Sequence, residues 1–285
     1  MDYRRLDRLL LKFRGGLMGH SSGRRLTNKF GTSLEFADYR PYLPGDDIRR
    51  VDWALYGRSR RLYTRLNRSE VDATINLLVD GSASMDWGDG QKGIRTLELA
   101  LALAYVSIRS YDRVSMGVGR KELGSYLPAV YGKGAFPRIA RFATAQQFHY
   151  EGNLNHLLDS FSRVLRPGQF TAVFSDFLSP GGYRQGLDSL LSRRQQVLVF
   201  HILSPGERNP DFRGPLTLID SETGAKKDLE IDGLVLGEYK RTLEAYSGEI
   251  RRFCRDRGVS YQVYDTDTDA VDYLLSIAPS ILSSW

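Results

Sequence analysis

The peptide Asp80-Gly81-Ser82-Ala83-Ser84 places one carboxylate and two hydroxyls within five residues. It directly follows Thr74-Ile75-Asn76-Leu77-Leu78-Val79, a run that reads as a buried strand. A second such run, Thr171-Ala172-Val173-Phe174-Ser175, also ends on a carboxylate, Asp176. In an open α/β sheet the binding crevice lies at the carboxyl ends of the strands, so Asp80, Ser82, Ser84 and Asp176 are expected on one rim. A carboxylate and two neutral hydroxyls are hard oxygen donors, suited to Mg²⁺, Mn²⁺ or Ca²⁺ and ill suited to zinc. Asp176 would hold a metal-bound water. The competing reading is a hydrogen-bonded turn at Asp80, with Asp176 an ordinary strand-end residue.

The elements that must position these groups are legible from residue 70 onward, where apolar β-branched runs alternate with segments of helical period. Strands are expected at 73–79, 114–118, 170–174, 197–203 and 261–264. Helices are expected at 93–111, 136–143, 154–165, 182–194 and 238–257. This alternation predicts an α/β fold with a mostly parallel sheet covered by helices. The segment 215–231 shows two β-like runs around a Ser-Glu-Thr-Gly turn and reads as an inserted hairpin that protects the sheet edge. Two domains follow: residues 1–70, with an N-terminal helix and β-rich segment, and residues 71–285, the α/β domain. In the first, Leu6, Leu9, Leu10, Phe13 and Leu17 recur at helical spacing, which predicts a short amphipathic helix packed on the core.

Composition narrows the function classes. The chain has 285 residues with 41% hydrophobic side chains, enough to build a core. Cys254 is the only cysteine, which excludes an intrachain disulfide and a cysteine-rich zinc site and favours the reducing cytoplasm. The longest mostly apolar stretch, 97–108, is interrupted by Glu98 and is shorter than the roughly 20 residues that cross a bilayer. Neither export nor a membrane span is expected, and membrane contact would be peripheral. The net charge of +6 is uneven, because residues 1–70 carry 16 basic against 8 acidic side chains.

The Asp-x-Ser-x-Ser pattern after a first α/β strand resembles the metal-ion-dependent adhesion site of von Willebrand factor A domains. The resemblance implies that Ser82 and Ser84 ligate Mg²⁺ directly, with Asp80 and Asp176 acting largely through water. A partner's carboxylate would complete the coordination. Asn153 falls where that family supplies a threonine ligand; its amide oxygen can ligate, or it can cap the following helix.

The front segment contains Glu35-Phe36, Arg40, Tyr42, Pro44-Gly45-Asp46-Asp47, Arg49, Asp52-Trp53 and Arg58. This signature resembles the bacterial family called domain of unknown function 58, over roughly residues 20–265. Members carry the signature ahead of a von Willebrand A-like domain, and Asp220-Ser221-Glu222-Thr223-Gly224 also fits. The resemblance implies a non-enzymatic adaptor or chaperone-like partner of MoxR-type AAA+ ATPases. Arg49, Arg50 and Arg58 are the candidate partner contacts of the basic segment, and no small-molecule substrate is expected.

Two other function classes have some basis in the residues. Arg58, Arg60, Arg61, Arg65 and Arg68 with Tyr56 and Tyr63 offer a nucleic-acid surface, although the acids of the same segment argue for internal pairing. Gly19-His20-Ser21-Ser22-Gly23 matches a serine-hydrolase pattern but lacks the preceding buried strand, so Ser21 makes a poor nucleophile, whether beside His149, His156 or His201. An aspartyl-phosphate mechanism fails because Ser82 stands where a second carboxylate acts as acid and base.

Overall fold

The computed structural model describes residues 2–7, 9, 25–42, 48, 51–71, 73–86, 91–148, 152–219 and 226–282. It divides into two compact units, residues 19–73 and residues 1–18 with 74–285. The first helical turn therefore belongs with the α/β body. Leu6 and Leu9 are buried there, and the Tyr3 ring stacks on Tyr105 at 5.1 Å. Leu10, Phe13 and Leu17 lie outside the described residues, as do Ser21, Arg49, Arg50, His149 and the 220–224 turn.

In the smaller unit, β1 (Arg25–Pro41) pairs antiparallel with β2 (Tyr63–Val71), with register shifts along β1. Between them lies α1 (Trp53–Ser59), whose first turn is capped by Asp52 accepting from the Leu55 amide at 2.9 Å. This helix leaves Arg58 exposed, with Arg60 and Arg61 beyond it also exposed.

The larger unit is built on β3 (Thr74–Asp80), β4 (Arg113–Gly119), β5 (Leu123–Val130), β6 (Phe170–Ser175), β7 (Gln196–Leu203) and β10 (Ser260–Asp265). They form one sheet in the order β10-β7-β6-β3-β4-β5, parallel except for β4 with β5. Central strands covered on both faces need near-continuous apolar runs, and in β3 Ile75, Leu77, Leu78 and Val79 are all buried. Asn76 is the polar exception. Its amide donates to the Phe170 carbonyl at 2.9 Å and accepts from the Ser115 hydroxyl at 2.7 Å, pinning β3 in register between β6 and β4.

Helices α2 (Gln91–Arg109), α3 (Phe136–Thr144), α4 (Leu154–Val164), α5 (Arg184–Ser192), α7 (Gly233–Asp256) and α8 (Ala270–Leu282) accompany the sheet, with a single turn, α6 (Pro205–Arg208), after β7. Helix α2 is apolar around most of its circumference, and Leu97, Leu99, Ala100, Leu101, Ala102, Leu103 and Ala104 are buried. Below α4, α5 and α7, Leu157, Phe161, Leu187, Phe253 and Cys254 share one cluster. Burial pushes the Cys254 thiol up to about 12, so it is an inert packing group.

The hairpin of β8 (Gly214–Ile219) and β9 (Lys226–Ile231) forms a two-stranded sheet of its own. It does not pair with the main sheet, whose edges are β10 and β5. The expected strands and helices are present with ends displaced by a few residues. Helix α7 starts earlier than its periodicity suggests because Asp232 caps it, accepting from the Leu234 and Val235 amides at 2.9 and 2.8 Å.

Order of strands fixes where a site can form. From β3 the chain crosses to β4 on one side, and from β6 it crosses to β7 on the other, so a crevice opens between the carboxyl ends of β3 and β6. Those ends carry Asp80 and Asp176. The crevice wall at β4 needs glycine: a Cβ on Gly119 would lie 2.2 Å from the Glu122 carbonyl oxygen and 2.6 Å from Leu157, while its own carbonyl accepts the Gly81 amide at 2.7 Å. We expect Gly119→Ala to destabilise the protein by at least about 2 kcal/mol through this overpacking, read as a lower denaturant midpoint in urea.

Candidate functional site

The turn after β3 folds back on its own carboxylate. Asp80 Oδ1 accepts the Ser82 amide at 3.0 Å, and Asp80 Oδ2 accepts the Ser175 hydroxyl of β6 at 2.6 Å. The Ser82 and Ser84 hydroxyls lie 3.0 Å apart. After β6, Asp176 Oδ1 accepts the Leu178 amide at 3.0 Å. Phe177 between them has φ 62°, a left-handed backbone rare for a bulky residue. Its buried ring, edge-on to Tyr183 at 5.4 Å and His201 at 5.8 Å, holds that conformation. Asp80, Ser82, Ser84 and Asp176 thus stand together on the rim.

Two residues that the sequence reading did not single out complete it. Lys92, in the first turn of α2, is fully buried, and its Nζ donates to Asp176 Oδ2 at 2.7 Å, Glu207 Oε1 at 2.6 Å and the Ser84 carbonyl at 3.3 Å. Glu207 is set by a capping box on α6: its Oε2 accepts the Ser204 amide and hydroxyl, both at 2.8 Å, while Ser204 Oγ accepts the Glu207 amide at 3.3 Å. Tyr239 of α7 donates to the Glu207 carbonyl at 2.7 Å. The Ser204-x-x-Glu207 spacing was a readable capping signal. The only sequence mark of Lys92 was its place in the first turn of a helix whose later residues, from Leu97 onward, are mostly apolar.

Electrostatics separate the two aspartates. Burial raises Asp80, the Asp176 charge raises it further, and together they outweigh the Ser175 and Ser82 hydrogen bonds, leaving it at about 6. Burial also opposes ionisation of Asp176, but the Lys92 charge and hydrogen bond and the Leu178 amide prevail, holding it below the usual carboxylate range. Lys92 is disfavoured by burial and raised on balance by Asp176 and Glu207.

Asn153 takes the helix-cap role: its Oδ1 accepts the His156 amide at 3.1 Å at the start of α4. Among the described residues no hydrogen bond joins it to Asp80, Ser82, Ser84 or Asp176. Nor, among them, are three His, Cys, Asp or Glu side chains grouped to hold a metal ion. The donor set does not fit a divalent ion while Lys92 stands there, because the ammonium already occupies Asp176 Oδ2 from inside the protein.

The model for the family described as "Protein of unknown function DUF58" matches residues 38–247. The chain belongs to this family. Among curated proteins the chain is similar to uncharacterized protein Rv1480 of Mycobacterium tuberculosis, 28% identical over 244 residues, which cover 84% of this chain and 77% of that one. Uncharacterized protein MAV169 of Mycobacterium avium is 26% identical over 118 residues, covering 41% of this chain and 69% of that one. Among solved structures the chain is similar to the conserved hypothetical protein BatB of Bacteroides thetaiotaomicron, at 14% identity and a TM-score of 0.46, over 75% of this chain and all of that one. It is also similar to an aerotolerance-related membrane protein of Bacteroides fragilis, at 16% identity and a TM-score of 0.45, over 73% of this chain and 99% of that one. Among the described residues of this DUF58 chain, no helix is long and apolar enough to cross a membrane.

Two predictions follow from the rim. Replacing Lys92 by Met leaves two carboxylates facing each other without their cation, so Lys92→Met should cost about 3–5 kcal/mol of unfolding free energy, measured by denaturant titration at neutral pH. On β7, His201 pairs in register with Ser175, and its Nδ1 lies 2.6 Å from the Tyr261 hydroxyl. Burial pulls His201 from 6.5 down to about 4. Above pH 6.5 the imidazole is neutral in both states and its contribution is complete. As pH falls toward 4 the unfolded chain takes up a proton that the folded chain refuses, and stability drops by about 3 kcal/mol. In His201→Phe, stability between pH 6.5 and 4 should lack this component; an unchanged slope would assign it to other groups.

Proposed function

We propose that this DUF58 protein is a non-enzymatic interaction module, an adaptor that docks a partner on the rim formed by the carboxyl ends of β3 and β6. The observation that carries the reading is the convergence of Asp80, Ser82, Ser84 and Asp176 at the crevice where the strand connections diverge, with their hydrogen-bonding capacity turned inward onto one another and onto Lys92. Such a set fixes a surface and presents no activated nucleophile. Around it, Ser84 is half-buried, Asp86 is exposed, and Leu178 is 46% exposed two residues beyond Asp176. An apolar side chain held beside a rigid polar centre is the composition of a protein-docking patch.

The partner proposed is a MoxR-type AAA+ ATPase, which would supply any ATP hydrolysis, and the setting proposed is the cytoplasm. Support comes from the DUF58 membership together with the rim. A second reading, nucleic-acid binding, is favoured by one observation, the exposed Arg58, Arg60 and Arg61 at the end of α1.

Interferometry between the purified chain and a MoxR-type ATPase of the same organism tests the docking. Binding is expected, and Leu178→Asp should weaken it about tenfold or more, equivalent to about 1.4 kcal/mol, with an unchanged melting temperature. No binding by the unaltered chain, together with salt-sensitive binding of single-stranded DNA that disappears on replacing the three arginines by alanine, would transfer the assignment to the second reading.

A further inference from the structure

We propose that Lys92 is the resident cation of this rim, a covalently tethered ammonium standing in place of a diffusible divalent ion, so that recognition here is independent of metal. The inference rests on the docking reading for its functional meaning and on geometry alone for its chemistry. An ammonium has three N–H donors, and Lys92 has three oxygen acceptors: Asp176 Oδ2, Glu207 Oε1 and the Ser84 carbonyl. Its hydrogen-bonding capacity is complete without water, which matches a side chain with no exposed surface.

The cage is built from three separate elements. Asp176 comes from the end of β6 with its other oxygen on the Leu178 amide. Glu207 comes from the turn after β7 with its other oxygen on Ser204. Ser84 comes from the turn after β3. Each acceptor is itself held by a second hydrogen bond or by the local fold, so the cage is organised to receive a positive charge at one point. The lysine reaches that point from α2, whose buried length, Leu97 to Ile108, keeps it from withdrawing without unpacking the helix.

Two consequences distinguish this arrangement from a metal site. A divalent ion retains exchangeable positions that an outside carboxylate can fill, whereas every donor of the Lys92 ammonium is already committed to this chain. A partner therefore meets the outer surface at Ser84, Asp86 and Leu178 and gains no bond to the cation. The second consequence is that chelators leave the rim intact.

The test uses the full chain with Mn²⁺ and Mg²⁺ as probes. Electron paramagnetic resonance titration should show no stoichiometric Mn²⁺ uptake, and the melting temperature should be the same in EDTA and in millimolar Mg²⁺. In Lys92→Ala, which empties the cage while leaving its oxygens, the melting temperature should fall in EDTA and recover on adding Mg²⁺ or Mn²⁺, with one equivalent of Mn²⁺ bound. Uptake of one Mn²⁺ by the unaltered chain, abolished by Asp176→Asn, would overturn the proposal, and so would a melting temperature that rises with Mg²⁺. Should Lys92→Ala not fold, the measurements on the unaltered chain decide alone. Loss of ATPase docking in a chain that ignores metal would remove the partner reading and leave the tethered cation standing; docking that vanishes in EDTA would do the reverse.

Discussion

A lysine ammonium removed from water is the constraint around which the α/β unit is organised. An unpaired charge in such a place is unstable, so the groups that surround Lys92 are held to positions that neutralise and hydrogen-bond it. Asp176 can meet the ammonium only if its other oxygen is anchored by the Leu178 amide, and the intervening Phe177 adopts a left-handed backbone in that short turn. Glu207 can meet it only because the capping box on α6 fixes the carboxylate from the opposite side. The strained turn after β6 and the single helical turn after β7 thus have a shared physical origin. Each is an unremarkable loop without the ammonium, and together they define the crevice floor.

The same cation explains why two aspartates at equivalent strand ends differ. Asp176 has a positive partner and two hydrogen bonds, so its charge survives burial. Asp80 has a hydroxyl and an amide but no cation of its own, and it also feels the neighbouring charge of Asp176, so its carboxyl rises to about 6. One lysine cannot serve both groups. The rim consequently holds an ionic half, built from β6, α2 and α6, beside a hydrogen-bonded half, built from β3 and its turn. Ser175 links the halves, donating to Asp80 while its oxygen accepts the Phe177 amide at 3.0 Å.

Much of this was legible in the sequence because burial on both faces forces long apolar runs, and β3, β4, β6 and β7 have them. Strand β5 was not, for the complementary reason: it is an antiparallel edge strand, half-exposed, with Pro128 in it, and neither periodicity nor propensity marks such a segment. Helix α8 carries Pro279, which argues against a helix interior. At the site, the convergence of Asp80, Ser82, Ser84 and Asp176 followed from strand ends alone. The identity of the cation did not, because Lys92 lies eight residues beyond Ser84 and Glu207 lies 31 beyond Asp176, and only folding places them within hydrogen-bond reach. A pattern of oxygen donors says that positive charge is wanted; it does not say whether that charge arrives from solution or is carried on the chain.

That distinction has energetic content. A rim that relies on a free ion is stabilised by mass action, so its integrity varies with ion concentration. A tethered ammonium contributes the same attraction at every ion concentration, and its loss of freedom is met once, during folding. It brings one positive charge where a divalent ion brings two, and its three donors point to fixed oxygens. The excess negative charge of the crevice is therefore reduced by raising Asp80 and not by recruiting more cation. With no vacant coordination position, discrimination between partners falls to shape and to the side chains at the lip. Leu178 is a large exposed apolar residue beside Asp176, so the ion pair next to it serves as a rigid mount whose chemistry is spent internally.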